Sequence, residues 1–97
     1  MDQGTRVKIA DLLDQLAAQT TWNENLWRQC FELAKANAQD PIVGYLIDDL
    51  VHYTGTPLFR REPPPKRIRG YSQEFRDFAF AVRSKMSLED FKKEYEW

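Results

Sequence analysis

Ninety-seven residues make one domain's worth of chain, so a single core is expected and no separate catalytic or regulatory domain. Hydrophobic residues at 42% and aromatics at 13% exclude an intrinsically disordered chain, even with 30% charged residues. Fourteen Lys and Arg oppose fifteen Asp and Glu, and a formal charge of −1 supplies no overall field to draw the molecule to a phosphate backbone or an anionic membrane.

Helical periodicity dominates the chain. Ile9, Leu12, Leu13, Leu16 and Ala17 recur at i, i+3, i+4, i+7 and i+8 with Lys8, Asp11, Asp14 and Gln15 on the other side, which predicts a first helix over 5–19. Thr21 and Glu24 then have capping-box spacing. Behind them Trp27, Cys30, Phe31 and Ala34 form an apolar stripe widened by Leu26 and Leu33, predicting a second helix over 22–37. Asp40-Pro41 is a start signal, because aspartate caps free amides and proline suits the first helical position. Ile42, Val43, Leu46, Ile47, Leu50 and Val51 follow, giving a third helix over 41–53 that is the most apolar and is expected at the centre. Thr54-Gly55-Thr56-Pro57 ends it.

Residues 57–70, PLFRREPPPKRIRG, contain three consecutive prolines and are expected to be an extended or polyproline II strap over the surface. Leu58, Phe59 and Ile68 are the side chains expected to pin it. Arg60, Arg61, Lys66, Arg67 and Arg69 against Glu62 give this segment a formal charge of +4, while residues 1–56 carry −4. Ser72 is placed to cap a fourth helix over 72–86 with the stripe Phe75, Phe78, Ala79, Val82 and Met86, from which Phe80 departs. Ser87 with Asp90 opens a fifth over 87–96, with Met86 and Phe91 at the positions of a hydrophobic staple. Leu88, Phe91 and Tyr95 are spaced to pack back on the fourth. The fold class that follows is all-α: a compact bundle of four to five short helices in one domain, 1–97, with a Pro/Arg-rich strap between helices three and four.

Few residues here suit chemistry. Asp48, Asp49 and His52 have the spacing of a carboxylate–imidazole pair, but no second histidine, glycine-rich phosphate loop or nucleophile set completes a site. Cys30, the only cysteine, sits within an apolar stripe and reads as a small buried hydrophobe. A lone cysteine also excludes an internal disulfide and suits a reducing, intracellular compartment. Met1-Asp2-Gln3-Gly4 lacks the order of a signal peptide, and the longest apolar stretch, Pro41 to Ile47, is far short of a membrane span. No catalytic residue, metal, cofactor, small-molecule substrate or membrane partner is therefore expected, and the location expected is cytoplasmic, with Lys66-Arg67-Ile68-Arg69 readable as a nuclear-localisation pattern.

The run from Gly70-Tyr71-Ser72-Gln73-Glu74-Phe75 to Ser87-Leu88-Glu89-Asp90-Phe91, with its apolar helix and its turn at Met86-Ser87, resembles the first two helices of the helix-turn-helix in many transposase DNA-binding domains. The resemblance covers under a quarter of the chain. It implies a DNA-facing C-terminal region, although the third helix with which that family enters the major groove has no counterpart before Trp97.

Bulky aromatics exceed what one small core can bury, which predicts an apolar surface patch of the composition found at interface centres. The expected function is a non-enzymatic protein–protein interaction module: a small adaptor, a regulatory subunit or a self-associating domain. Its candidate contact residues are Trp22, Trp27, Phe59, Arg60, Arg61, Lys66, Arg67, Arg69, Tyr95 and Trp97. The alternative is nucleic-acid binding through the basic 60–69 arm beside the helix-turn-helix-like region.

Overall fold

The structure, a computed structural model, describes the backbone of residues 1–19, 23–52 and 65–95 and the side chains of residues 1–19, 23–51 and 73–95. Five helices run through these residues: α1 Gln3–Ala18, α2 Glu24–Ala36, α3 Pro41–His52, α4 Pro65–Arg83 and α5 Leu88–Tyr95. Among the described residues there is no strand, and the architecture is an all-α bundle.

Local capping chemistry sets the helix starts. Asp2 accepts the Thr5 amide at 2.7 Å, and so α1 begins two residues before the apolar stripe suggests. In α2 the cap is Asn23, whose side chain accepts the Leu26 amide at 3.1 Å. Thr21, expected to cap it, lies outside the described residues, and Glu24 pairs with Arg28 one turn on. Asp40 takes the amides of Ile42 and Val43 at 3.1 and 3.3 Å, with Pro41 as the first residue of α3. Ser87 Oγ accepts the Asp90 amide at 3.1 Å at the head of α5.

The beginning of α4 departs from the expected strap. Residues 65–70 are helical rather than extended, and the fourth helix starts at Pro65, not Ser72. The physical reason lies in the last proline: at the first helical position its fixed φ is already suitable and its missing N–H would have had no partner there. Gly70 is the only weak helix former between Pro65 and Tyr71, and its cost of about 1 kcal/mol does not stop a helix anchored by Phe75 and Phe78. Residues 57–64 of the expected strap lie outside the described residues.

At its other end α4 stops at Arg83, earlier than residue 86. The Lys85 amide donates to the Val82 carbonyl at 3.3 Å and the Met86 amide to the Ala81 carbonyl at 3.0 Å, the paired bonds of a Schellman motif. Lys85 occupies the left-handed position, with φ of +56°.

The core collects Ile9, Leu13 and Leu16 from α1, Leu26, Cys30 and Ala34 from α2, Val43, Leu46 and Leu50 from α3, Phe75, Phe78 and Val82 from α4, and Phe91 from α5. No polar or charged residue is buried among the described residues. The most extensive helix–helix contact is between α1 and α4, while α3 touches α2, α4 and α5. The expected central position of α3 is thus shared: α3 meets three other helices, but the α1–α4 pair carries the most extensive contact.

Candidate interaction surface

Trp27 comes from the second turn of α2 and is half-buried. It stacks on Phe31, one turn on, at a centroid distance of 4.9 Å and an interplanar angle of 7°. Its indole N–H donates to the Leu50 carbonyl in the last turn of α3 at 2.8 Å, so this side chain also ties two helices together. Lys35 adds a cation 5.8 Å from the Phe31 ring centre.

A second aromatic group joins α3, α4 and α5. Phe78 and Phe91 stack at 4.6 Å, with Tyr45 set edge-on to Phe91 at 6.5 Å and Tyr95 tilted against Phe91 at 5.0 Å. The Lys92 ammonium stands 4.9 Å from the Tyr45 ring centre. Burial pushes the Tyr95 phenol above its ordinary range, and the nearby Asp77 and Glu94 carboxylates push in the same direction. Among the described residues, Trp27 and Tyr95 therefore belong to two different aromatic groups.

The third feature is the outer side of α4. Phe80 is 56% exposed, while Phe75, Phe78, Ala79 and Val82 face the core. Gln73 and Arg76 are exposed as well. Arg83, at the C-terminal end, is neutralised by α1, its guanidinium lying 2.6 Å from Asp11 and 2.8 Å from Asp14. These two carboxylates hold its pKa above the ordinary arginine value.

Of the sequence-predicted contact residues, Lys66, Arg67 and Arg69 belong to the first two turns of α4 rather than to an extended arm. Trp22, Phe59, Arg60, Arg61 and Trp97 lie outside the described residues. Phe80, Gln73 and Arg76 were not among the candidates. The signal for them is helical phase: Phe80 departs from the stripe Phe75, Phe78, Ala79 and Val82, and Gln73 and Arg76 lie outside it too.

The remaining chemistry is sparse. Cys30 is fully buried, and desolvation pushes its thiol up to about 12, which leaves almost no thiolate at neutral pH. Among the described residues no three His, Cys, Asp or Glu side chains gather where they could hold a metal ion. A groove of about 320 Å³ between α1 and α2 is lined by Lys8, Leu12, Gln29, Glu32, Leu33 and Ala36, without a convergent set of polar groups. No helix among the described residues is long and apolar enough to cross a membrane. Comparison with protein families, with curated proteins and with solved structures finds no match to this chain.

Proposed function

We propose that this chain is a non-enzymatic protein-interaction module, acting as a small adaptor, a regulatory subunit or a self-associating domain within the cell. The observation that carries the reading is the placement of aromatic rings after the core is closed. Phe80 is exposed, and Trp27, Phe31, Tyr45 and Tyr95 keep part of their rings at the surface. Aromatic residues and arginine are the types enriched at the centres of interfaces, and an apolar ring left in water gains free energy when a partner covers it.

Size-exclusion chromatography with light scattering, together with affinity capture from the native cell, tests this. The expected result is a stoichiometric partner or a defined oligomer. A chain that is strictly monomeric at all concentrations and recovers no stoichiometric partner overturns it.

Nucleic-acid binding is the second reading, supported by Lys66, Arg67 and Arg69 falling together on the first two turns of a helix. It requires binding that weakens steeply with added salt, because phosphate contacts release counterions. Gel shifts that show no complex even at low salt eliminate it.

A further inference from the structure

We infer that α5 is exchanged between two copies of this chain: residues 84–87 straighten into helix, and Phe91 of each copy fills the seat on α3 and α4 of the other. The inference rests on the self-associating form of the interaction reading above and names the surface and its occupant.

The seat is built around one side chain. The helix α5 is eight residues long, and Phe91 is its only buried residue. Phe91 stacks on Phe78 of α4 at 4.6 Å and stands edge-on to Tyr45 of α3 at 6.5 Å, while the Lys92 ammonium lies 4.9 Å from the Tyr45 ring centre. A helix this short has little stability of its own and depends on that seat. Detaching it costs less than unfolding the whole bundle. The α5 of a second copy reproduces every one of these contacts, because it carries the same residues. The balance between the closed chain and the exchanged pair is therefore decided by the turn, by any new contact and by the entropy of association.

The turn suits either form. Closed, it holds Lys85 at φ of +56°, a left-handed conformation that strains a residue with a Cβ and usually falls to glycine. The four residues Ser84, Lys85, Met86 and Ser87 include neither glycine nor proline, and lysine and methionine are good helix formers. The local sequence thus permits α4 to run on into α5. Local bonds hold the closed form: the Lys85 and Met86 amides donate to the Val82 and Ala81 carbonyls, and Ser87 Oγ accepts the Asp90 amide.

Helical phase supplies an independent observation. In a helix continued from α4 through α5, Phe80, Ser84, Leu88, Phe91 and Tyr95 fall within about a quarter turn, on the side opposite Phe75, Val82 and Met86. Straightening thereby carries Phe91 away from its own core, and only another copy offers it the same seat. Phe80, 56% exposed in the closed chain, lies on that same side. A second copy that receives Phe91 is brought toward Phe80, and covering this ring favours the exchanged pair.

The test follows the full chain by size-exclusion chromatography with light scattering over a range of concentrations, before and after refolding at high concentration. The expected result is a dimer that exchanges slowly with monomer. Ser87→Ala removes the α5 cap and favours the continuous helix, and is expected to tighten the dimer about tenfold; Lys85→Gly relaxes the closed turn and weakens that helix, and is expected to loosen it about tenfold. Phe80→Ser is expected to weaken the dimer while circular dichroism shows unchanged helicity. Inserting Gly-Ser-Gly-Ser between Ser84 and Lys85 gives α5 the slack to fold back on its own chain and leaves monomer only, whereas two closed copies joined side by side survive the insertion as a dimer. A dimer that survives it, shifts of the same sign in Ser87→Ala and Lys85→Gly, a dimer indifferent to Phe80→Ser, or a wild type that is monomeric under every condition each overturn the inference. If wild type is strictly monomeric yet affinity capture recovers a different stoichiometric partner, the exchange fails while the interaction reading stands; if it recovers none, the interaction reading fails too.

Discussion

Asp40 and Arg6 join the head of α3 to α1 through one carboxylate. Asp40 Oδ1 accepts the amides of Ile42 and Val43, and Oδ2 receives the Arg6 guanidinium at 3.1 Å. Both side chains are only about 15% exposed, which sets this pair apart from the more open Arg28–Glu24 contact. Each oxygen has its own task, so removing the group and removing its charge have different consequences. Asp40→Ala is expected to cost about 2 kcal/mol, through lost capping and an uncompensated Arg6. Asp40→Asn keeps an acceptor for the α3 amides and is expected to cost about 1 kcal/mol. Urea denaturation of the two variants checks the order; equal losses would mean that the cap contributes nothing.

Gly44 allows α3 to pass close to the turn before it. A Cβ built at this position would stand 2.7 Å from the Ala38 carbonyl oxygen, a backbone atom that cannot swing aside. Alanine in a helix interior is ordinarily favoured over glycine by about 1 kcal/mol. Here overpacking is expected to reverse the sign, with Gly44→Ala destabilising by about 1–2 kcal/mol net. Thermal unfolding monitored at 222 nm reads the direction directly.

Lys85 gives the opposite case. At φ of +56° its Cβ crowds the backbone, while its amide and that of Met86 close the end of α4. Lys85→Gly is expected to stabilise by about 0.5–1 kcal/mol, the relief of strain exceeding the extra entropy of glycine in the unfolded chain. Lys85→Val, branched at the strained position, is expected to destabilise. Paired denaturation curves decide it, and a destabilised Lys85→Gly variant would show that the lysine side chain makes a contribution larger than its strain.

These positions also show which parts of the fold were legible in the sequence. Asp40-Pro41 and Ser87 were readable because a cap lies within three residues of the amides it satisfies, and the stripes Ile9–Ala17 and Ile42–Leu50 were readable because burial repeats every turn. The end of α4 was not, because its left-handed residue is a lysine and lacks the usual glycine signal. Nor was its start: three prolines look like a breaker, while only the position of the last one relative to the helix decides the matter. Trp27 was legible as an aromatic, but its bond to Leu50 spans 23 residues and follows from the packing of α2 on α3. Lys66, Arg67 and Arg69 could be counted in the sequence, whereas their place in a helix depends on where α4 starts.

Asp77 carries a prediction with a definite pH sign. Partial burial raises its carboxyl above the ordinary value of 3.8, and the Gln73 amide, donating to it, offsets only part of that rise. An acid whose folded pKa is raised binds its proton more tightly in the folded state, so its contribution to stability falls as pH climbs from the unfolded pKa through the folded one. Above both, the unfavourable effect of ionisation is fully present; below both, it is absent. Asp77→Asn keeps an oxygen to accept from Gln73 and has nothing to ionise, so the variant is expected to be the more stable at pH 7. The advantage should shrink as pH is lowered through the folded pKa and disappear below the ordinary carboxylate value. A local readout accompanies it: the Asp77 charge helps to raise the Tyr95 phenol, and its removal should bring the Tyr95 titration to lower pH. Urea denaturation at a series of pH values, with ultraviolet titration of tyrosine in a Tyr45→Phe, Tyr53→Phe, Tyr71→Phe background that leaves Tyr95 alone, measures both effects. An advantage for Asp77→Asn that grows on acidification would show that the carboxylate is stabilised, not strained, at the junction of α4 and α5.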